Sequence, residues 1–497
     1  MTKKILSALL ALLITAAVFA GCSGNDDPKP AGTTGAKEDT SADTGRAAVK
    51  DQLPEKMDFD GSDVVFHTRG DNDAVIEIFV EADNTADRIN AAVYNRNKKV
   101  EERLNVSIKQ YSDHTWETYH ESLVTLRAVI QNGDNSIDIV SGWSAKIPAM
   151  MTYNCFVDLQ TVKNLYLEEP WWSQMMNESC VVNNKLYFTT GDIATSYTNT
   201  CFAYIFNKRV LEDNKSAVAD NLYDVVRNGE WTIDFVDRAV KNLYTDVNND
   251  GVKDTGDKYG MTIDCVNPLD AHLQGFQVYL LSRDDSGRYF MDADLEQLDS
   301  IVQKLYSLIY NNEGVGYRNE ANYSGSTFDD KQSFLSGNVL FYPTYFWDVM
   351  MNFGSMADEY GVLPYPKWDT DQKEYSTRLS DGLALFSIPT SAKNIDMSGA
   401  VMEAMAAESY RNVTTEVYDV VLKGRYAQDD DSKEMMDIVT KNKYLNFEII
   451  YNESFWAPWY LLRNTVNKGN NNFSSWWAEN EGKFNSMLSD LMDQFYE

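Results

Sequence analysis

Hydrophobic positions along this chain switch repeatedly between a period of two and a period near 3.6, and that switching predicts alternating strands and helices. FDGSDVVFHTRG (59–70) has a strand-like apolar core, and from Thr85 onward the spacing turns helical, with Ile89, Val93, Val100 and Leu104 on one side. Val106 to Tyr111 alternates like a strand, Trp116 to Ile130 reads as helix, and SIDIVSG (136–142) is a short buried strand. Such alternation favours an α/β fold with mainly parallel sheet and helices on both faces. A further round begins at NNKLYFTTGD (183–192), and CFAYIFNK (201–208) looks like a central strand. In NGEWTIDFVDRAVKNLY, Thr232 is an N-cap candidate and Val236, Ala239, Val240 and Leu243 follow at helical spacing. Downstream, Leu295–Tyr310 is a helix candidate. Strands are expected at KYGMTI, at VLFYPT (339–344), at the start of YGVLPYPKW (360–368) and at LALFSIP (383–389), before a mainly helical end that closes on NNFSSWWAENEGKFNSMLSDLMDQF.

The first residues fall outside this pattern. Lys3 and Lys4 precede an apolar run, Ile5 to Phe19, too short and wrongly flanked for a stable membrane span, and small residues follow, so 1–21 reads as a secretory signal. Phe19-Ala20-Gly21-Cys22 resembles a lipobox, with Phe19 where Leu or Val is usual, which makes Cys22 the expected lipid attachment point. An ordinary secreted chain with a chance cysteine is the alternative. Residues 23–50 contain no large apolar side chain except Val49, so 22–54 is expected to be a lipidated, disordered tether.

Composition narrows the partners. With 497 residues, 43% of them hydrophobic, the chain has material for more than one core. The formal charge of −31 becomes −33 once Lys3 and Lys4 leave with the signal, which argues against nucleic acid and against anionic headgroups as direct partners. Any membrane link is then the lipid. Cys155, Cys180, Cys201 and Cys265 form no CxxC pair, and their spacing leaves both disulfides and buried thiols open. With His67, His114, His120 and His272 as the four histidines and no HExxH, a catalytic or metal-binding histidine cluster is not expected.

One loop does carry metal chemistry. In DVNNDGVKDTGD (246–257), Asp246, Asn248, Asp250, Asp254 and Asp257 occupy positions 1, 3, 5, 9 and 12, Gly251 is at 6, and Val252 offers its carbonyl at 7. That is the ligand order of an EF-hand-type calcium loop, in which hard oxygens surround a hard cation and glycine permits the sharp turn. Asp at 12 in place of Glu reaches the ion less easily, so affinity of roughly 10⁻⁴ to 10⁻³ M is expected. A solvated Asp/Asn-rich turn is the alternative. The strand pattern of KYGMTI directly afterwards argues against a swinging sensor helix, and the single copy argues against a dockerin.

Four segments, DIVSGWSAKIPAMMTYNCFVDL, NNKLYFTTGDIATSYTNTCFAYIFNKRVLED, FLSGNVLFYPTYFWDV and YGVLPYPKWDTDQKEYSTRLSDGLALFSIPTSAKN, together resemble the extracellular solute-binding proteins of ABC importers. The group in question includes the maltose-binding protein and many bacterial sugar-binding lipoproteins, and the likeness spans roughly residues 60–495. It implies a two-lobed, periplasmic-binding-protein-like type II fold, with a hinge and the ligand in an interlobe cleft. Crossings are expected near 193–202 and 379–390; lobe 1 would comprise 55–198 plus 383–435 and lobe 2 199–382 plus 436–497. It further implies a monomer anchored at the outer face of the cell membrane, an ABC permease as partner, and a calcium loop that braces the fold away from the cleft.

A sugar presents hydroxyls and flat C–H patches, so its site needs polar side chains and aromatic faces, and the chain has 11 Trp and 29 Tyr. By likeness to the family, Trp143 is the aromatic after the DIV strand and Trp347 the tryptophan behind the second-lobe strand, with Tyr345 and Asp348 beside it. Trp459 and Tyr460 resemble the aromatic pair at the start of a late helix. Each could equally be core. Asp381 and Gly382 would place a carboxylate and bare backbone at the second crossing, or simply form a turn. The WW pairs at 171–172 and 476–477 read as packing or surface ridges. The expected function is capture of a carbohydrate, with peptide or another polar solute as the runner-up. A surface glycan-acting enzyme with an Asp/Glu pair, or a calcium-stabilised adhesion module, are the rival classes.

Overall fold

A computed structural model describes residues 45–69, 77–82, 84–112, 118–322, 328–423 and 430–496. The signal 1–21, Cys22 and the tether up to residue 44 lie outside the described residues. In chain order the strands are β1 (Ser62–His67), β2 (Val106–Tyr111), β3 (Ile139–Trp143), β4 (Phe202–Asn207), β5 (Tyr259–Asp264), β6 (Leu281–Arg283), β7 (Tyr289–Met291), β8 (Val315–Arg318), β9 (Val339–Tyr345), β10 (Tyr360–Leu363), β11 (Thr377–Arg378), β12 (Ala384–Ser387) and β13 (Lys443–Tyr444).

The first lobe is built on the sheet β12-β3-β1-β2. β1 runs parallel to both β2 and β3, and only the edge strand β12 is reversed, from Ala384 opposite Trp143 to Ser387 opposite Val140. The helix Arg88–Leu104 connects β1 to β2. Its start is fixed by Asp87, whose carboxylate accepts from the amides of Ile89 and Asn90, and it buries Ile89, Val93, Val100 and Leu104, the stripe the spacing predicts.

The second lobe is built on β10-β4-β9-β5-β8. Here the expectation of mainly parallel sheet is corrected. β5 is parallel to β8 and β9, but β4 is antiparallel to both β9 and β10. The chain enters β4 from the crossing, at the end where β9 finishes (Phe202 opposite Tyr345), after only the single helical turn Ser196–Asn199, too short to carry it back to the other end. Pro343, unusual inside a sheet, lies past the last β9 residue paired with β5, Phe341.

Between the lobes three chain passages run side by side. Cys201 bridges Leu379, the Ser380 amide donates to Thr200 O at 3.1 Å, and β11 pairs in parallel with β13. The last helix, Phe473–Tyr496, draws on two cores. Phe473, Trp477 and Phe484 pack under the second sheet, whereas Leu488, Leu491, Met492 and Phe495 join Phe156, Phe188 and Phe447 in a cluster with first-lobe residues. The first-lobe part of that helix was not anticipated by grouping 436–497 with lobe 2.

Residues 45–54, assigned by composition to the tether, lie against the first lobe. Leu53 is in its core, and Asp51 receives Arg103 at 2.6 Å and Arg411 at 3.1 Å. Trp171, Trp172 and Trp477 are buried as packing residues. The four cysteines downstream of Cys22 are free, buried thiols, and burial raises Cys201 to about 11 and Cys180 to about 12. Among the described residues no helix is long and apolar enough to cross a membrane.

Candidate functional site

The C-terminal end of β3, the turn before β12 and the segment after β13 meet between the lobes. Trp143, half-buried, ends β3. Its backbone N–H donates to the Tyr119 hydroxyl at 2.8 Å, and its indole N–H donates to the Asp381 carbonyl. The Ser144 hydroxyl donates to the same carbonyl at 2.9 Å. Tyr460, in the turn Pro458–Tyr460, donates towards Asp381 Oδ2 (3.3 Å) and Glu453 Oε1 (3.0 Å). The structure therefore brings Trp143, Asp381 and Tyr460 together. The Gly382 carbonyl accepts from Arg69, and a Cβ at 382 would meet only Ser380 Oγ at 3.6 Å, so neither space nor backbone requires glycine there.

Trp459 lines the same cleft but is 3% exposed, packed 5.8 Å from the Tyr444 ring, so it is wall and core together. Tyr345 and Trp347 lie further along the second-lobe rim, where β9 runs into the helix Phe346–Asn352. Their rings stack at 6.0 Å and 17°. Tyr345 also packs at 5.3 Å on Phe202, over which the Arg378 guanidinium sits at 5.5 Å. Asp348 differs from its neighbours. Its carboxylate is held by Thr344 (2.9 Å), Asn352 (2.7 Å) and Lys331 (2.6 Å), so it braces the first turn and is not a free acceptor.

The charged centre of the cleft carries no sequence motif. Arg378, at the end of β11, donates to Asp381 Oδ1 at 2.8 Å and lies 3.7 Å from Asp270 Oδ2. Arg463 donates to Asp270 Oδ2 from Nε at 2.7 Å and to Asn267 Oδ1 at 2.9 Å. Asp270 is 1% exposed; burial raises its pKa, opposed by Arg463 and Arg378. Burial works against the Arg463 charge, but Asp270 and Asp381 outweigh it and hold that guanidinium above its ordinary value. One weak signal existed. The helix Asn267–Gly275 is buried along almost its whole length yet contains Asp270, His272 and Gln274, polar groups that need partners. His272 has them in Tyr204 Oη (2.7 Å) and Leu269 O (3.0 Å), and burial lowers it to about 4, so it is neutral.

Gln274, Arg378, Asp381, Asn452, Trp459 and Tyr460 surround an enclosed space of about 20 Å³, the room of a single water. That space is smaller than a sugar ring.

The acidic loop follows the helix Ile233–Val240 and precedes β5. Its neck is closed by paired backbone bonds between Thr245 and Lys258, both 3.0 Å. Gly251 N–H donates to Asp246 Oδ2 (2.8 Å), Asp250 N–H to Asn248 Oδ1 (3.0 Å) and Val252 N–H to Asp250 Oδ1 (2.8 Å). Asp257 is 1% exposed and accepts from the Val247 amide (2.9 Å) and the Tyr244 hydroxyl (3.0 Å). Gly251 has φ 76°, which glycine tolerates freely. Among the described residues no three acidic, thiol or imidazole groups converge on one metal position. The oxygen-rich donor set nevertheless suits a hard cation, and Asp246 Oδ1 is buried with no hydrogen-bond partner.

No protein-family model matches the chain, and no curated protein matches it. Its fold is shared with solved structures. The GacH receptor of Streptomyces glaucescens, solved unliganded and with acarbose, is 14% identical, with 86% of this chain and 99% of that one covered and a TM-score of 0.53. A sugar transporter from Rhizobium etli in an open conformation is 12% identical over 86% and 99%, with a TM-score of 0.54. The cyclic alpha-maltosyl-1,6-maltose binding protein of Arthrobacter globiformis gives 12%, 86%, 99% and 0.54. This chain thus has a two-lobed α/β fold of the periplasmic-binding type II kind, with its cleft between the lobes.

Proposed function

We propose that this protein captures a carbohydrate in the interlobe cleft and delivers it to an ABC importer. The observation that carries the reading is the composition of the cleft: aromatic walls from Trp459 and Tyr460, with the Trp143 indole bonded to the Asp381 carbonyl beside them, and a balanced set of Arg378, Arg463, Asp270 and Asp381. Flat C–H faces and hydroxyls are what such a lining fits. Receptors of the same fold that bind acarbose or cyclic maltosyl-maltose support the choice of sugar. The rival reading as a glycan-acting enzyme is less favoured because the solved structures of the same fold are receptors and binding proteins. Cys22 would carry the lipid that holds this monomeric receptor at the outer face of the cell membrane, next to its permease.

Thermal melting of the mature protein against mono- and oligosaccharides and short peptides tests the reading. A ligand at 100 times its Kd adds about 2.7 kcal/mol to the folded state, a readily visible shift. A rise with one sugar series supports a carbohydrate receptor. A rise with peptides alone would transfer the importer role to a different solute.

For the acidic loop we infer a structural calcium ion held by Asp246, Asn248, Asp250, the Val252 carbonyl, Asp254 and Asp257. The support is the donor order and the partnerless buried oxygen of Asp246. The ion would offset two of the four clustered carboxylate charges and fix the passage from the helix to β5.

A further inference from the structure

Among the described residues lining the cleft, Gln274 and Arg378 carry buried polar side-chain atoms without a hydrogen-bond partner, as does Trp459 at Nε1. Gln274 and Arg378 both line the enclosed space, and each is 3% exposed. Gln274 Oε1, an acceptor, and Arg378 Nε, a donor, are buried without a hydrogen-bond partner. Asp270, one helical turn before Gln274, adds Oδ1 in the same condition. The other nitrogens of Arg378 are engaged, with Nη2 on Asp381 at 2.8 Å and Nη1 3.7 Å from Asp270 Oδ2. Leaving such groups unpaired in a buried setting is unfavourable. That cost is the kind found where a fold keeps a site ready for something other than itself.

We propose that Gln274 and Arg378 form a hydroxyl-recognising subsite that fixes one end of the bound saccharide; the proposal rests on the carbohydrate reading above. A hydroxyl both donates and accepts, so a single one answers Arg378 Nε and Gln274 Oε1 together. A carboxylate would satisfy the arginine but meet the Gln274 oxygen and Asp270. An ammonium would satisfy the oxygens but meet Arg378 and Arg463. The enclosed space of about 20 Å³ has room for one oxygen-sized group, not for a ring. The floor therefore selects an uncharged sugar carrying a hydroxyl at one defined position, while the aromatic walls accept the rings more permissively.

The test is the Gln274→Leu variant, which keeps the volume close and removes the acceptor. Wild type and variant are titrated calorimetrically with maltotriose, raffinose and cellotriose, and both are melted without sugar. The proposal expects the variant to lose about tenfold or more in affinity for the sugar that wild type binds. It also expects the unliganded variant to melt at or above wild type, since an unpaired buried amide oxygen has gone. Unchanged affinity in the variant overturns the subsite alone. A lower melting temperature shows Gln274 to be a structural brace and also overturns it. Failure of all three sugars to bind wild type sinks the carbohydrate reading and the subsite together.

Discussion

Arg378 stands between two carboxylates in surroundings almost without water, so its removal and the removal of a nearby hydroxyl have different consequences. Arg378→Ala leaves Asp270 and Asp381 with Arg463 alone and is expected to lower stability by about 1–3 kcal/mol, read from urea unfolding. Tyr460→Phe removes one hydroxyl shared between Asp381 and Glu453. Stability is expected to stay within about 1.5 kcal/mol of wild type while sugar affinity falls. Protonation gives a second residue-scale prediction. Burial raises Glu403 to about 8 and Glu448 to about 7, against an ordinary value near 4.5. The folded state thus holds protons that the unfolded chain has released, and the stability they contribute is complete below about pH 4.5 and lost as pH rises through 7–8. His272 acts in the opposite sense, its contribution being present above pH 6.5 and lost as pH falls towards 4. Glu403 accepts from the Trp172 indole at 3.0 Å and the Tyr166 amide at 3.2 Å, bonds a glutamine oxygen can also accept. Glu403→Gln is expected to flatten the fall in melting temperature between pH 6 and 9; a slope identical to wild type would refute the assignment.

Among the elements, what could be read from sequence was whatever depends on local periodicity. The helix Leu295–Tyr310 has the expected ends, with Asp294 as its N-cap, and Thr232 caps the helix Ile233–Val240 as its position suggested. The direction of β4 was not legible, because nothing in FAYIFN records where its neighbours run. Nor was the cleft's charged centre, because Asp270, Arg378 and Arg463 are distant in sequence and meet only through the waist and the last helices. Trp143 and Asp381 were legible as strand-end and turn residues, yet their bond to each other is tertiary. The acidic loop is the element most open to direct test. Melting with calcium and with a chelator should differ, and Asp246→Asn should remove the difference without altering sugar binding. Equal melting in both conditions would mean a metal-free turn.

For the molecule as a whole, three passages side by side at the waist, one pair antiparallel and one parallel, join two sheets of different topology, and the helix Phe473–Tyr496 packs into cores on both sides. The geometry makes the cleft a place where ligand and lobe orientation are linked, since a sugar touching Trp143 in one wall and Gln274 in the other favours the arrangement that keeps both within reach. The central claim is that this cleft binds a carbohydrate. Isothermal titration of the protein with the saccharide panel, in buffer containing calcium and alongside Asp381→Ala, tests it most directly. The account predicts one sugar bound per chain with an affinity that the substitution lowers at least about tenfold. Binding that Asp381→Ala leaves untouched, or heat from peptides and from no saccharide, would contradict it.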